Sequence, residues 1–258
     1  MFFVPWWETV LKYILISITA ISTSITMKKA WRIFKKFFLW AVILQFVYII
    51  ICRWVNPPIT ITQAVSFISG NGLKRDYISF DEMGSNIKLA VIAAEDQLFP
   101  NHDGFDVKAI KKAIKFNEKH KNKTRGASTI SQQTAKNVFL WQHGGFFRKG
   151  LEVYFTFMIE KIWNKKRILE NYLNVAEMGK GIFGVQAAAK AYFNKDAKDL
   201  TRAEAAMIAA CLPNPKAYTV KPMCKYVANR YDNILQQMNN LDGDEDIDAI
   251  VKDAVNKK

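Results

Sequence analysis

Two adjacent carboxylates, Glu95 and Asp96, close an apolar helical stripe, and that placement could turn an acid into a working base. Ile87, Val91 and Leu98, with Ala90 and Ala94 between them, recur at helical spacing and mark a face turned to a core. Glu95 then stands where the helix leaves that core. Partly apolar surroundings raise a carboxyl pKa and suit a general base or acid. A solvated helix end carrying two acids is the plainer reading of this pair taken alone.

A second block, from Arg125 to Asn137, carries uncharged donors at helical spacing. Gly126 supplies a turn and a helix is expected to begin near Ser128. Ser128, Gln132 and Lys136 then share one face, with Thr129, Gln133 and Asn137 beside them. Such a face suits a sugar or phosphate, with helix-start amides as further donors; a polar face packed on another helix is the alternative. In a third block, Arg148 and Lys149 precede Glu152. They form either an ordinary helical ion pair or two cations for an anionic leaving group beside a second catalytic carboxylate. In a fourth, Ile168, Tyr172 and Leu173 would pack, while Glu170 and Asn174 would satisfy buried backbone or basic groups.

These blocks need a scaffold, and the pattern from about residue 83 onward is mostly helical, with few alternating strands. Thr201-Arg202-Ala203-Glu204 is a capping box opening an apolar helix that runs to Leu212, where Pro213-Asn214-Pro215 stops it. Tyr226 to Met238 reads as a further amphipathic helix. Asn56-Pro57-Pro58 breaks the chain before a short linker, Ile59 to Phe67. Residues 107–125 are lysine-rich with Phe116 as their main large apolar group, and part of this stretch is expected to be mobile. The acidic run Asp242 to Asp246 lacks the glycine and glutamate of a calcium loop and reads as a solvated tail.

The chain has 258 residues, a formal charge of +14 and 50% hydrophobic residues, enough for one domain and a membrane anchor. Phe37 to Trp54, FFLWAVILQFVYIIICRW, carries no charge before Arg53. At about 1.5 Å per residue it reaches roughly 27 Å, close to a bilayer core. Trp40, Tyr48 and Trp54 are aromatics common in such spans. Lys28, Lys29, Arg32, Lys35 and Lys36 precede it, so the positive-inside bias keeps that flank cytoplasmic and exports the residues beyond Trp54. For the first 27 residues two readings stay open: a weak second span, or translation starting at Met27. Cys52, Cys211 and Cys224 build no disulfide framework, and His102, His120 and His143 lie too far apart for metal spacing. The basic excess is read as meeting lipid headgroups and diphosphates rather than nucleic acid.

The four blocks together, Glu-Asp-x-x-Phe-x-x-His-x-Gly-x-Asp, Gly-x-Ser-Thr-Ile-x-Gln-Gln-x-x-Lys-Asn, Arg-Lys-x-x-Glu and Ile-Leu-Glu-x-Tyr-Leu-Asn, resemble those of the peptidoglycan glycosyltransferases, family 51. All are matched in order, and Gly184 to Phe193 and the Leu-Thr-x-x-Glu-Ala-Ala helix fit too. The resemblance covers about residues 83–238. Because the chain stops at Lys258, it is similar to the monofunctional biosynthetic form, without a transpeptidase domain. The lone Ser85-x-x-Lys88 has no Lys-Thr-Gly partner and reads as chance.

The resemblance implies a mainly α, lysozyme-like, two-lobed domain with an N-terminal transmembrane helix. The divisions expected are an N-terminal segment at 1–36, anchor at 37–54, stem at 55–82, glycosyltransferase domain at 83–240 and tail at 241–258. It implies polymerisation of lipid II, the growing glycan on undecaprenyl diphosphate being the donor. Glu95 would be the general base and Glu152 the second catalytic carboxylate. Ser128, Thr129, Gln132, Lys136, Asn137, Arg148 and Lys149 would bind substrate. Asp96, Phe99, His102, Gly104, Glu170, Tyr172 and Asn174 would shape the structure. No cofactor is obligatory on this reading, though Glu152 allows a divalent cation, magnesium or manganese. Expected partners are lipid II, the lipid-linked nascent glycan, membrane lipids and other cell-wall synthesis proteins. The expected location is the bacterial plasma membrane, single-pass, with the catalytic domain on the extracytoplasmic (periplasmic) side. Two rivals are a lysozyme-like glycan-cleaving enzyme and an inactive membrane scaffold.

Overall fold

The computed structural model describes residues 6–120, 126–142 and 144–252, with side chains from Met27 onward. Expectations touching Arg125, His143, the ends of the chain or the side chains before Met27 fall outside the described residues. The chain divides into two units, Met1–Ile51 and Cys52–Lys258.

The first unit is helix α1, Trp6–Ile51. Its Met27–Ile51 part, whose most apolar 18 residues have a mean hydropathy of 1.9, is long and apolar enough to cross a membrane. From Trp6 on, the helix runs unbroken through the rest of the stretch for which two readings were open, and decides neither. It ends three residues before the expected Trp54. Cys52, expected inside the span, is buried in the second unit. Asn56-Pro57-Pro58, a few residues on, keeps the chain from resuming the helix there.

The second unit begins earlier than the expected start at 83. Helix α2, Ile61–Ile68, opens on a capping box formed by Thr60 and Gln63. Strand β1, Lys74–Arg75, and a 3-10 turn at Phe80–Met83 come after it, with Phe80 and Met83 buried. The segment 55–82 is therefore part of the fold and not a stem. Then come α3, Ser85–Glu95, α4, Val107–Lys119, and α5, Ile130–Phe139. Within 107–125, α4 is a regular helix, capped by Asp106 Oδ1 accepting from Ala109 N (2.8 Å). Helices α6, Phe146–Ile162, and α7, Lys165–Val175, lead to strands β2, Glu177–Gly179, and β3, Ile182–Phe183. Helices α8, Val185–Phe193, α9, Arg202–Cys211, α10, Lys225–Leu241, and α11, Glu245–Val251, complete it.

The sheet is small, in the order β1-β3-β2, with β1 parallel and β2 antiparallel to β3. Its tight β2–β3 turn needs Gly181, at φ +70°, where a Cβ would lie 2.2 Å from the Asn71 carbonyl oxygen. Helix α3 packs against α9 and α10, and α5 against α6 and α7. Ile87 and Val91 of the predicted stripe are fully buried, but Leu98 is half exposed, because α3 ends at Glu95. Ala205, Ala206, Ala209 and Ala210 of α9 are buried, and their small size lets α3 approach closely. The acidic run is exposed, as expected, but it leads into a packed helix and not a tail. Asp244 caps α11, which buries Ile247, Ile250 and Val251.

Candidate active site

Glu95 is the last residue of α3, and its side chain is 12% exposed. Burial pushes its carboxyl pKa above the ordinary range; Gln133, Arg230 and Lys136 pull it back, while Asp96 adds to the rise. Gln133 Nε2 donates to Glu95 Oε2 (2.8 Å). Its amide oxygen in turn accepts from the buried Tyr172 hydroxyl (3.2 Å). A carboxylate with a raised pKa, held by one oriented amide, is what proton abstraction from a sugar hydroxyl requires.

Asp96 is turned the other way. Its Oδ2 accepts from Ile130 N (3.0 Å), the first amide of α5. Both its oxygens lie 3.0 Å from His102 Nε2. Gly104 N donates to His102 Nδ1 (3.1 Å), so Nε2 is the nitrogen that bears hydrogen toward Asp96. Thr129 Oγ1 then donates to Gly104 O (2.7 Å). Gly104 sits at φ +85°, where a Cβ would press to 2.8 Å on Thr156 and 2.9 Å on Glu160. Phe99, fully buried, lies under the Lys165 ammonium at 4.8 Å. This cluster fixes the start of α5 beside the end of α3.

That start differs by two residues from the expected one. Thr129 is the N-cap, and Thr129 and Gln132 form a reciprocal capping box. The Gln132 oxygen is thereby taken by Thr129 N (3.1 Å), and both residues are buried. The glutamine that reaches Glu95 is its neighbour, Gln133, which the candidate set leaves out. Ser128 is exposed before the helix. Asn137 Oδ1 accepts from Gln142 Nε2 (3.0 Å), which also donates to Thr62 Oγ1 (3.0 Å), tying α5 to α2.

Lys136 lies on α5 one turn beyond Gln133, and its ammonium makes no hydrogen bond or ion pair among the described residues. Burial pushes its ammonium pKa down; Glu152 and Glu95 oppose that, while Arg148 and Lys149 add to it. Both carboxylates are therefore near enough to act on it electrostatically. Glu152 is buried on α6 and held from two sides: Arg148 Nη1 donates to Oε2 (2.7 Å), and Lys149 Nζ pairs with Oε1. Two cations thus engage Glu152 directly and Lys136 stands within electrostatic reach of it, leaving positive charge for a second anion. A resident divalent metal fits this donor set poorly, since both Glu152 oxygens are engaged by cations. Among the described residues no group of three His, Cys, Asp or Glu could hold a metal ion.

The fourth block is a brace. Arg167 pairs with Glu170 (2.9 Å), and Asn174 exchanges two hydrogen bonds with the Ile78 backbone (2.9 and 3.1 Å). Tyr172 from this block supports Gln133. Outside every block, Arg230 of α10 approaches Glu95 Oε1 at 3.7 Å, with no local signal in the sequence to announce it.

The family model described as Transglycosylase matches residues 62–239. A biosynthetic peptidoglycan transglycosylase of Mannheimia succiniciproducens is 58% identical over 166 residues, covering 64% of this chain and 68% of the relative. Proteins of the same description from Escherichia coli and Shigella boydii are 56% identical over 169 residues, covering 66% of this chain and 70% of each relative.

Proposed function

We propose that this chain, which belongs to the transglycosylase family and polymerises peptidoglycan glycan strands, uses Glu95 as its general base and the Lys136–Arg148–Lys149 cluster as its diphosphate site. The acceptor is lipid II. Glu95 takes the proton of the acceptor 4-hydroxyl as that oxygen attacks C1 of the donor. The C1–O bond to the lipid diphosphate breaks and the configuration inverts from α to β. Negative charge then grows on the departing diphosphate, where fixed cations in a partly buried site stabilise it most. Glu152 holds Arg148 and Lys149 in place, and its oxygens are occupied in doing so. Charge stabilisation comes from side chains, so no metal is obligatory.

One observation carries this reading: Lys136 lies on α5 one turn beyond the Gln133 that donates to Glu95, within electrostatic reach of both Glu95 and Glu152. A base for the acceptor and a cation site for the leaving group are thereby adjacent. Cleavage of a neutral glycoside would have no use for such a cation cluster, which disfavours the lysozyme-like rival. Ser128, exposed before α5, is available to the donor sugar, whereas Thr129, Gln132 and Asn137 serve the substrate through the helix they hold.

Helix α1 anchors the chain as a single span in the plasma membrane, with the second unit on the extracytoplasmic side. Ile68, Phe146 and Phe147 are 82%, 98% and 76% exposed, and such side chains favour contact with the bilayer that holds the lipid tail. Membrane lipids, the nascent glycan and other cell-wall synthesis proteins are its partners.

The test is incubation of the detergent-purified chain with labelled lipid II, beside Glu95→Gln, with products resolved by length. Lysozyme-sensitive strands from the wild type alone support the assignment of the base. Shortening of preformed glycan without new strands would move the chain to the cleaving rival.

A further inference from the structure

Arg230 stands in the second turn of α10, and its Nη2 lies 3.7 Å from Glu95 Oε1. The same nitrogen donates to the Ala94 carbonyl (3.2 Å), and Nη1 donates to the Tyr226 hydroxyl (3.0 Å) one turn earlier. The Tyr226 ring is stacked on Tyr218 at 3.8 Å. Two acceptors therefore hold the guanidinium before Glu95 is counted. On the other side of the carboxylate, Gln133 of α5 donates to Oε2. Each oxygen thus faces one donor, and the two donors come from different helices.

An ion pair of this length, with side chains 31% and 12% exposed, adds little to the stability of a fold. Its effect on proton transfer is another matter, because the attraction acts on the ionised form of the base alone. We propose that Arg230 is a positioning residue for Glu95: it fixes the orientation of the carboxylate and supplies the positive charge that offsets its burial. The inference rests on the reading of Glu95 as the base. It gives the C-terminal helix α10, distant in sequence from the motif blocks, a part in the chemistry.

The other groups around Glu95 define what Arg230 must do. Asp96 on the same strand of chain opposes ionisation, and Lys136 on α5 favours it less strongly than Arg230 does. Tyr172 of α7 and Cys211 of α9 lie close enough for Glu95 to disfavour their own ionisation, so neither brings positive charge. Lys136 is also shared with Glu152. Arg230 is the cation with Glu95 as its one carboxylate among the described residues.

The experiment is the pH–rate profile of lipid II polymerisation by the full chain in detergent. The proteins compared are wild type, Arg230→Gln, Arg230→Lys and Glu95→Gln, each checked by thermal unfolding. Without the guanidinium, Glu95 holds its proton to higher pH. Arg230→Gln should therefore move the acid limb upward, with about three- to tenfold lower rates on that limb and recovery toward alkaline pH. Arg230→Lys should fall between this variant and wild type. An unmoved limb in a folded Arg230→Gln protein, whether its rate is unchanged or uniformly lower, overturns the inference and leaves Glu95 as base. If Arg230→Gln does not fold, an unmoved limb in Arg230→Lys does the same. Activity of Glu95→Gln with the wild-type limb would instead sink the underlying assignment.

Discussion

Burial pulls Glu95 in two directions at once. It raises the carboxyl pKa toward the range where a base works best, and it makes the ionised form a liability to the fold. The folded pKa lies above the unfolded one. The stability cost of the charge is therefore fully present above the folded pKa and fades as pH falls through it. Glu95→Gln should abolish strand synthesis yet unfold at a higher temperature than wild type near neutral pH. That gap should close in acid; thermal unfolding at several pH values checks it. Lys136 presents the opposite case, an ammonium whose pKa burial lowers. Its charge is lost earlier than usual as pH rises, so Lys136→Arg, always protonated, should keep its activity further into alkali at a reduced maximum. Lys136→Ala should weaken use of the lipid-linked donor more than use of the acceptor, read by varying each in turn.

The element that matters most for the site is α5, since it carries both Gln133 and Lys136 on consecutive turns. Its start is pinned by Asp96 Oδ2 accepting from Ile130 N and by the Thr129–Gln132 capping box. Thr129→Val removes the cap and leaves the Gly104 carbonyl without its buried donor. It should cost about 1–3 kcal/mol in denaturant unfolding. Gly104→Ala, strained at positive φ and pressed against Thr156 and Glu160, should cost about 2–4 kcal/mol. The same start explains what sequence could and could not deliver. The apolar spacing that placed Glu95 at a helix end is local, and so is the i, i+4 pairing of Arg148 with Glu152. Whether Gln132 or Gln133 faces Glu95 depends on where α5 begins. Spacing set both glutamines on the polar side of α5, and which of them reaches Glu95 is fixed by other elements, Asp96 at the helix start and Tyr172 behind Gln133. Arg230 was illegible for a related reason, since its approach to Glu95 comes from tertiary packing, whereas α11 did leave a trace, Asp244 as N-cap before Ile247, Ile250 and Val251 at i, i+3 and i+4.

For the whole molecule, the division at residues 51 and 52 has a chemical edge. Cys52 is 1% exposed, and its carbonyl accepts from Arg167 Nε (3.0 Å). Arg167 is itself nearly buried on α7, and its Nη2 finds no partner among the described residues. It also braces Glu170, on the helix that carries Tyr172 and so supports Gln133. The peptide just after α1 is thus tied to the same helix that steadies the candidate base. A fragment beginning at Cys52 keeps this acceptor, whereas one beginning at Asn56 strands a buried guanidinium with one acceptor fewer. Leaving such a group unsatisfied costs about 1–3 kcal/mol, and each kcal/mol lowers the midpoint of a domain of this size by about 2–4 °C. Thermal unfolding of the two fragments in the same detergent should therefore separate them, the longer unfolding at the higher temperature. Identical midpoints would mean that water replaces the Cys52 carbonyl at no cost, and that the packed unit in effect starts beyond the prolines.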